Sequence, residues 1–403
     1  MNILFITDNF PPEVNAPATR TYEHCKEWVR QGARVTVITG APNFPQGKVF
    51  DGYKNKLYQK EVVDGIQVVR VWTYITRNQG FMRRTLDYLS FAFTSFLAGL
   101  FQKADVIVAT SPQFFTTWAG WALSKLKRKP WVFELRDLWP ESIKSVGALN
   151  DGKLYQFLEK IELGLYDSAD HIIPNTDAFR KNLIERGVDK NGISVITNGS
   201  NLDLFTPPPN GQTDALKAKL GISDKFTVGY IGTHGMAHAL DFIVDSVYEM
   251  QDANIHFLFI GDGAEKENIR QKVEKYKLTN VTMLDPVPKN DMPLYLSIID
   301  VSLVPLKKSD TFKTVIPSKI FEAAAMDKPV LLGVDGQARK IIEKYESGLY
   351  FNPENKADFI EKTRLIADNK ELYKSLARNC RRLATDFDRK KLANEMLEVL
   401  SRV

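Results

Sequence analysis

Cysteine is scarce in this sequence, since its 403 residues include only Cys25 and Cys380. Two cysteines far apart along the chain are too few for a disulfide scaffold or for a cysteine metal cluster. No other grouping of histidine, cysteine and carboxylate residues has the spacing of metal ligands. The sequence therefore predicts a reducing, cytoplasmic setting and no bound metal.

Long apolar runs are also lacking. Residues 88–101 form an uncharged stretch of 14 residues, with Arg77, Arg83 and Arg84 before it and Lys103 after it. Crossing a bilayer takes about 20 residues, so this stretch is too short to span one. Two interpretations remain open: a buried core helix, or a partly exposed helix that lies on a membrane with its arginines on lipid phosphates.

Positive charge is in excess only in the first part of the chain. Residues 1–129 hold 17 Lys and Arg against 9 Asp and Glu, whereas residues 201–403 hold 29 of each. A basic first half is expected to meet an anionic surface or substrate. The basic KLKRK at 125–129 has no aromatic platform or recognition helix beside it, so we expect no nucleic acid partner.

Short apolar, β-branched runs alternate with longer helical patterns along most of the chain. The amino terminus lacks the features of a signal peptide and is expected to form the first strand. The predicted strands are 2–7, 34–39, 67–72, 105–110, 131–135, 171–175, 194–197, 227–232, 256–261, 281–285, 301–306 and 329–334. Continuous apolar strands separated by helices are typical of parallel sheets covered on both faces.

One break interrupts this alternation. Residues 196–214, ITNGSNLDLFTPPPNGQTD, are rich in turn residues and include three successive prolines. The sequence thus predicts an α/β protein with two Rossmann-like, doubly wound domains, 1–200 and 201–385, that face each other across a cleft. A last helix, 386–403, is expected to pack back on the first domain. Ligands of such sheets bind beyond the carboxyl ends of the strands.

The segment TVIPSKIFEAAAMDKPVLLG at 314–333 combines features of a nucleotide site. Pro317 suits the first turn of a helix, and the amides of Ser318, Lys319 and Ile320 would then face an anion. Lys319 adds a positive charge, so a phosphate or diphosphate is the expected ligand. Glu322, one turn further on, can accept two hydrogen bonds from a ribose diol. The alternative is an ordinary surface Lys and Glu pair.

Three other strand ends in the second half agree with a nucleotide. The first is followed by Thr233, His234 and His238, and the second by a glycine turn that lets a ligand approach the backbone closely. Val287 and Lys289 follow the third and can border a base. The members of the glycine turn are Gly261, Asp262 and Gly263. Each signal alone is weak, because such glycines and histidines are more often structural.

In the first half, the strand WVFEL at 131–135 leads into Arg136 and Asp137, with Glu141 close behind. Asp137 can accept a proton from an acceptor hydroxyl or hold a sugar hydroxyl, and Arg136 can bind an acceptor phosphate. Glu141 is a further candidate acceptor contact. The alternative is a buried Arg and Asp pair that fixes a loop.

The motifs also stand in a recognisable order. PPEVNAPATR is followed in turn by GARVTVIT, VITNGSNLDLF, GYIGTHGMAHALD, GDGAEKENI, PVPKNDMPLYLS, SKIFEAAAMDKPVL and FDRKKLANEML. In this order the chain resembles glycosyltransferase family 4 over nearly its whole length. FPPEVNAPATRTYEH, ELRDLWPES, GTHGMAH and PSKIFEAAA are most similar to the branch with bacterial O-antigen and capsule transferases of the L-fucosamine type. The resemblance implies the GT-B fold and retention of anomeric configuration.

The resemblance also implies roles for particular residues. Glu322 corresponds to the second glutamate of the family's Glu-x7-Glu motif and is implied to bind ribose. The NAPATR loop, with Asn15 and Arg20, is implied to lie near the diphosphate or the acceptor. The motif's first glutamate falls at Thr314.

The family's cationic pair for the diphosphate falls at Thr233 and His238. A threonine and a titratable histidine cannot replace two permanent charges, so Lys319 becomes the best remaining cation. Many relatives also have a histidine where this chain has Arg136.

We therefore expect a retaining glycosyltransferase on the cytoplasmic face of the cell membrane, with peripheral membrane contact through 77–103. It would move an N-acetylated hexosamine or a deoxy derivative from a UDP-sugar to a saccharide on polyprenyl diphosphate, with no metal or other cofactor. Lys319, Asp137 and His238 are the expected catalytic residues. Two alternatives remain: a UDP-sugar epimerase on the same fold, and a non-catalytic subunit that binds sugar nucleotides.

Overall fold

The computed structural model describes residues 1–44, 46–76, 81–111, 113–141, 152–251 and 254–403. These residues form two compact units. Unit 1 consists of Met1–Asn198 together with Arg389–Val403, and unit 2 of Gly199–Asp388. The chain thus leaves unit 1 once and returns to it for its last 15 residues.

Unit 1 is built on a sheet of seven strands. In chain order they are β1 Asn2–Ile6, β2 Arg34–Gly40, β3 Tyr58–Val63, β4 Ile66–Val71, β5 Val106–Thr110, β6 Trp131–Leu135 and β7 His171–Pro174. Their order in the sheet is β3-β4-β2-β1-β5-β6-β7. All neighbours are parallel except β3 and β4, which form an antiparallel hairpin at one edge.

The hairpin strand β3 was not predicted. Its side chains are exposed or only partly buried, so it lacks the continuous apolar run by which the other strands were found. The turn consists of Asp64 and Gly65, both with positive φ (49° and 82°), which suits a tight two-residue hairpin. The Asp-Gly pair was the available sequence signal for this strand.

The predicted strand at 194–197 is wrong. Ile193 forms only an isolated bridge with Ile172. The carbonyl oxygens of Ile196 and Thr197 instead accept hydrogen bonds from the guanidinium of Arg20. Two amides of the segment still donate to carbonyls of β7, so it lies along the edge of the sheet without forming a regular strand.

The described residues of unit 1 also form six helices. They are α1 Ala16–Arg30, α2 Phe81–Leu100, α3 Phe114–Lys127, α4 Lys153–Ser168, α5 Asp177–Glu185 and the C-terminal helix Arg389–Arg402. The C-terminal helix packs on α1, where the indole of Trp28 donates to the carbonyl of Ala393 at 2.8 Å. Its Met396 and Leu400 are buried in the same core as the strands.

Unit 2 has six parallel strands. They are β8 Phe226–Ile231, β9 Ile255–Ile260, β10 Val281–Leu284, β11 Val301–Pro305, β12 Val330–Gly333 and β13 Gly348–Tyr350. Their order is β10-β9-β8-β11-β12-β13. The order reverses between β8 and β11, and ligands of open α/β sheets bind at the carboxyl ends of strands at such a switch point. The short β13 was not predicted.

The helices of unit 2 cover both faces of its sheet. They are α6 Gln212–Lys219, α7 Leu240–Val247, α8 Lys266–Lys275, α9 Met292–Ile298, α10 Lys319–Ala325, α11 Gln337–Tyr345, α12 Lys356–Asp368 and α13 Lys370–Asp386. Two separate clusters of buried apolar side chains lie on the two faces. This is the doubly wound arrangement that the alternation of strands and helices predicted.

Helix α2 combines a buried and an exposed apolar face. Phe91, Ala92 and Ala98 are buried against the core. Large apolar side chains at a spacing of three or four residues are exposed: Leu86, Leu89, Phe93, Leu97 and Leu100. The stretch 88–101 is thus partly core and partly surface, and Phe93 on the exposed face is 63% exposed. Among the described helices, none is both long and apolar enough to span a membrane.

Candidate functional site

Helix α10 begins at Lys319, with Ser318 at its N-cap position. Pro317 therefore lies before the cap, and its predicted place in the first turn is wrong. The amide of Ile320 donates to the carbonyl of Pro317 at 3.2 Å, so it does not face an anion as predicted. The case for an anion at this helix end therefore depends on the Lys319 side chain more than on the amides.

The Lys319 ammonium meets an aromatic ring. Its Nζ lies 3.7 Å from the ring centroid of Tyr230. In the described part of the chain, this ammonium has no hydrogen bond and no ion pair. Burial lowers the pKa of Lys319 to about 7, and the nearby Glu322 carboxylate opposes this shift. The group is therefore close to half charged at neutral pH.

Tyr230 is the residue that sequence reasoning missed. It lies within β8, next to the switch point, and is fully buried. Its hydroxyl donates to the carbonyl oxygen of Thr233 at 2.5 Å. An aromatic residue in an apolar strand is normally read as core, so only the contact with Lys319 singles it out.

Two histidines lie close to the same ring. His234 is fully buried and His238 is partly buried. Burial and the positive charges of Lys266 and Lys319 lower the pKa of His234 to about 4. Burial, Lys319 and His234 lower the pKa of His238 to about 4. Both imidazoles are therefore neutral near pH 7. The two ring nitrogens of His234 are buried and have no hydrogen-bond partner among the described residues, and its donor contact stays a prediction.

The glycine turn after β9 serves backbone packing. A Cβ on Gly261 would lie 1.9 Å from the carbonyl oxygen of Gly232, and one on Gly263 would lie 2.4 Å from the carbonyl oxygen of His234. The carbonyl of Asp262 accepts from the amide of His234 at 2.8 Å. The close approach that was expected for a ligand is thus made by the segment after β8.

The other predicted donor contacts also follow strands of the unit 2 sheet or lie close to them in the chain. Val287 and Lys289 follow β10, the edge strand that β9 separates from β8. Val287 packs against the core of unit 2. Thr233 is exposed, and Thr314 is partly buried at the end of a short 3₁₀ segment.

That 3₁₀ segment forms one wall of a cavity of about 410 Å³ at the ends of β11, β12 and β13. Lys307, Lys308 and Lys313 line it together with Tyr350 and Asn352. Lys313 is paired with Asp310 at 2.6 Å. The sequence analysis did not identify this cavity, which lies on the β13 side of the sheet.

In unit 1, Arg136 lies just beyond β6. Its Nε and Nη1 atoms are buried, and neither has a hydrogen-bond partner among the described residues. Burial lowers the pKa of Arg136 to about 10; Glu134 opposes this, and Arg20 and Arg389 add to it. A buried cation without a hydrogen-bonded anion is costly, so Arg136 has the properties of an anion-binding group.

Arg20 and Asn15, predicted to lie near the diphosphate or the acceptor, both bond to other parts of the protein. Arg20 is buried, and its Nε donates to Glu134 at 2.9 Å while its other nitrogens bond carbonyls of residues 196–197. Asn15 caps α1 by accepting from the amide of Ala18 at 2.9 Å, and it donates to Asn9. Because these groups are committed to the fold, both residues have structural roles here.

Asp137 is partly buried, and its amide donates to the hydroxyl of Ser111 at 3.3 Å. Glu141 is exposed. The sequence did not single out Asp8, which follows β1. Burial, followed by the charges of Asp87 and Glu13, raises the pKa of Asp8 well above its usual value. Within the described residues, no three His, Cys, Asp or Glu side chains are grouped so that they could hold a metal ion.

Two family models match this chain. The model described as "Glycosyl transferase 4-like domain" matches residues 15–199, and the one described as "Glycosyl transferases group 1" matches residues 212–383. The chain belongs to the group 1 glycosyltransferases. The prediction of an enzyme of this retaining family is thereby confirmed.

Relatives of this glycosyltransferase include two bacterial proteins. One is WcaI of Escherichia coli, a putative colanic acid biosynthesis glycosyl transferase, 25% identical over 81% of each chain. Another is TuaH of Bacillus subtilis, a putative teichuronic acid biosynthesis glycosyltransferase, 25% identical over 62% of each chain. The crystal structure of Anabaena HepE in complex with UDP matches 100% of both chains with a TM-score of 0.73 at 17% identity. The predicted GT-B fold is confirmed.

Proposed function

We propose that this glycosyltransferase moves an N-acetylated hexosamine, or a deoxy derivative of one, from a UDP-sugar to a saccharide carried on polyprenyl diphosphate. The product would belong to a bacterial surface polysaccharide of the O-antigen or capsule type. Relatives named for colanic acid and teichuronic acid synthesis support this class of product. The UDP complex of HepE supports the nucleotide.

The observation that carries the proposal is the Lys319 ammonium, which is desolvated and has no anion hydrogen-bonded to it among the described residues. Unit 2 would bind the donor, with its diphosphate on Lys319 and its ribose on Glu322. Departure of UDP breaks the bond between the anomeric carbon and a diphosphate oxygen, and the oxygen leaves with the electron pair. A protonated Lys319 stabilises the charge that develops there.

Retention is achieved when the acceptor hydroxyl attacks the face from which UDP leaves. The new bond forms between the acceptor oxygen and the anomeric carbon, and the hydroxyl proton passes to the departing diphosphate. His238 is neutral near pH 7 and can donate a hydrogen bond, but it adds no positive charge. We therefore assign the electrostatic work to Lys319 and a secondary role to His238.

Unit 1 would bind the acceptor. The Arg136 guanidinium, which has two nitrogens without hydrogen bonds in the described structure, is the proposed contact for an acceptor phosphate. Asp137 is proposed to hold a sugar hydroxyl, with Glu141 exposed nearby in the chain. The exposed apolar face of α2, flanked by the exposed Arg83 and Arg84, would rest on the membrane that carries the lipid. The first residues of the predicted contact, 77–80, lie outside the described part.

The test is a transfer assay with a panel of UDP-N-acetylhexosamines and a short polyprenyl-diphosphate-linked sugar as acceptor. We expect a glycosylated lipid with the anomeric configuration of the donor. Lys319→Ala should lower kcat by about two orders of magnitude or more, while the melting temperature shows that the fold is kept.

Controls without acceptor separate the alternatives. Rapid conversion of a UDP-sugar to its epimer without acceptor would identify an epimerase and overturn the proposal. Binding of UDP-sugars with no transfer to any lipid-linked acceptor would indicate a non-catalytic subunit. A Lys319→Ala variant with unchanged kcat would remove this residue from the reaction.

A further inference from the structure

We propose that Tyr230 is a positioning residue for the donor diphosphate, because its ring is the surface on which the Lys319 ammonium is held. This inference rests on the proposed nucleotide site and gives a role to Tyr230, which lies in the motif GYIGTHGMAHALD but had no role assigned to it. Tyr230 would not touch the reacting atoms. It would act through Lys319.

The ring is itself held firmly in place. Tyr230 lies in β8, which is paired on one side with β9 and on the other with β11. Its side chain is fully buried, and its hydroxyl is tied to the carbonyl of Thr233 at 2.5 Å. A ring fixed by the sheet at one end and by a hydrogen bond at the other is a rigid support.

The lysine reaches this support across Gly232. A Cβ at position 232 would lie 2.6 Å from both Cε and Nζ of Lys319, and Gly232 has a φ of +144°. A larger residue would therefore push the lysine stem away from the ring. Tyr230 and Gly232, both at the end of β8, thus contact the same Lys319 side chain: the ring lies under its ammonium, and the glycine leaves room for its stem.

An aromatic partner suits a cation that must receive a diphosphate. Cations lie within about 6 Å of a ring centroid in such pairs and gain about 0.5 to 2 kcal/mol. A carboxylate in this place would compete with the phosphate, whereas a ring orients the ammonium and leaves its charge for the ligand. The separation of 3.7 Å lies well inside that range.

Among the described residues, few charged or titratable groups act on the ammonium or on the two histidines beside it. Glu322 lies on its own helix, and His234 and His238 lie on the segment after β8, with Lys266 on α8 acting on His234. Both histidines are neutral near pH 7, so a bound diphosphate would take its positive charge from Lys319. Since the pKa of Lys319 is about 7 in the free protein, diphosphate binding should take up a proton above neutral pH.

The test compares Tyr230→Leu, which removes the ring, with Tyr230→Phe, which keeps it and loses the hydroxyl. UDP-N-acetylglucosamine is the probe, and its affinity is measured by calorimetry between about pH 6 and about pH 8.5. Wild-type affinity should fall as pH rises above about 7, with proton uptake on binding. Tyr230→Leu should weaken binding by about 3- to 30-fold, and Tyr230→Phe should stay within about threefold of wild type.

Phe257→Leu is the matched control, because Phe257 is an equally buried aromatic residue on β9 whose ring packs against Phe359. It should lower the melting temperature much as Tyr230→Leu does and leave affinity and its pH dependence unchanged. If both leucine variants weaken binding equally, Tyr230 has only a structural role and the inference is overturned.

A second measurement needs no nucleotide, so it separates this inference from the proposed function. Reductive methylation with ¹³C-formaldehyde labels the lysines, and Lys319→Arg identifies the Lys319 signal in the NMR spectrum. Methyl groups over an aromatic face should show an upfield ring-current shift in wild type and Tyr230→Phe and lose it in Tyr230→Leu. A signal without that shift in wild type would contradict the inference even if UDP-sugars bind. Failure of every UDP-sugar to bind, with the shift present, would instead count against the proposed nucleotide.

Discussion

Gly261 and Gly232 meet backbone to backbone at the carboxyl end of the unit 2 sheet. A Cβ on Gly261 would lie 1.9 Å from the carbonyl oxygen of Gly232, and the φ of Gly261 is +150°. The Gly232 amide also donates to Ile260 at 2.8 Å, so this contact aligns the segment that begins at Gly232 with β9. The Lys319 side chain passes over Gly232, so its position depends on that alignment.

Gly261→Ala should therefore disturb both stability and donor binding. We expect a loss of about 2 kcal/mol or more in the free energy of unfolding, because the backbone must move and the φ is strained. UDP affinity should fall with it, as calorimetry would show. Gly164→Ala is the control: nothing lies within 4 Å of a Cβ there and the site is helical, so it should be neutral or slightly stabilising. Wild-type affinity in Gly261→Ala would contradict the close packing.

Arg20 is predicted to act on stability. It is buried against Glu134 at 2.9 Å and bonds two carbonyls of the chain near 196–197. Removing one partner of a buried pair leaves an uncompensated charge, so Arg20→Ala should cost about 3 to 5 kcal/mol in urea unfolding. Arg136→Ala, which removes a cation without a hydrogen-bonded partner in the described structure, should cost much less. A stable Arg20→Ala that fails only in acceptor binding would restore the role implied by the resemblance.

Eleven of the thirteen described strands could be predicted because their apolar runs are continuous. The edge strand β3 was not predicted because its side chains are exposed or only partly buried. In the segment 194–197, two carbonyls accept from Arg20, which lies 176 and 177 positions earlier in the chain, and no regular strand forms. The helix start at 317–322 predicted Lys319 and Glu322, and the strand-end rule predicted the glycine turn. Neither could show that the turn packs against backbone, or that Tyr230 supports the lysine, because those are properties of three-dimensional packing.

Asp8 makes a prediction about pH. Burial, then Asp87 and Glu13, raises its pKa above the usual 3.8, so the folded state binds this proton more tightly than the unfolded chain does. Its contribution to stability is complete below pH 3.8 and is lost as pH rises through the raised pKa. Asp8→Asn cannot ionise. Its free energy of unfolding should therefore exceed that of wild type by more at about pH 8 than at about pH 4.

Asp105→Asn provides a control of opposite sign. Hydrogen bonds from the amide and side chain of Asn2 lower the pKa of Asp105. The ionised Asp105 stabilises the fold above its usual pKa, and this contribution is lost as pH falls. The free energy of unfolding of Asp105→Asn should therefore be lower than that of wild type at the higher pH and equal to it in acid. If Asp8→Asn follows the same trend as Asp105→Asn, the carboxylate of Asp8 is stabilised by the fold and the prediction is wrong.

Glu322 is predicted to recognise the ribose. Its carboxylate would accept hydrogen bonds from both hydroxyls, so wild type should bind UDP about 10-fold more tightly than 2′-deoxy-UDP. Glu322→Ala should bind UDP more weakly and discriminate little between the two nucleotides. Glu361→Ala, at an exposed site on α12 paired with Lys362, should keep the discrimination. Equal discrimination in Glu322→Ala and wild type would exclude the ribose contact.

The exposed face of α2 makes the last prediction. Phe93 is 63% and Leu97 41% exposed on a stripe that also includes Leu86, Leu89 and Leu100. Burying two such side chains in a membrane interface contributes about 1.5 to 3 kcal/mol each when complete. Phe93→Ser with Leu97→Ser should therefore weaken sedimentation with anionic liposomes by at least about tenfold, while Phe157→Ser, a 61% exposed control on α4, should bind like wild type. Arg83→Ser with Arg84→Ser should remove the part of binding that salt screens. Equal loss in the Phe157 control, or no wild-type binding at low salt, would show that this face does not meet lipid.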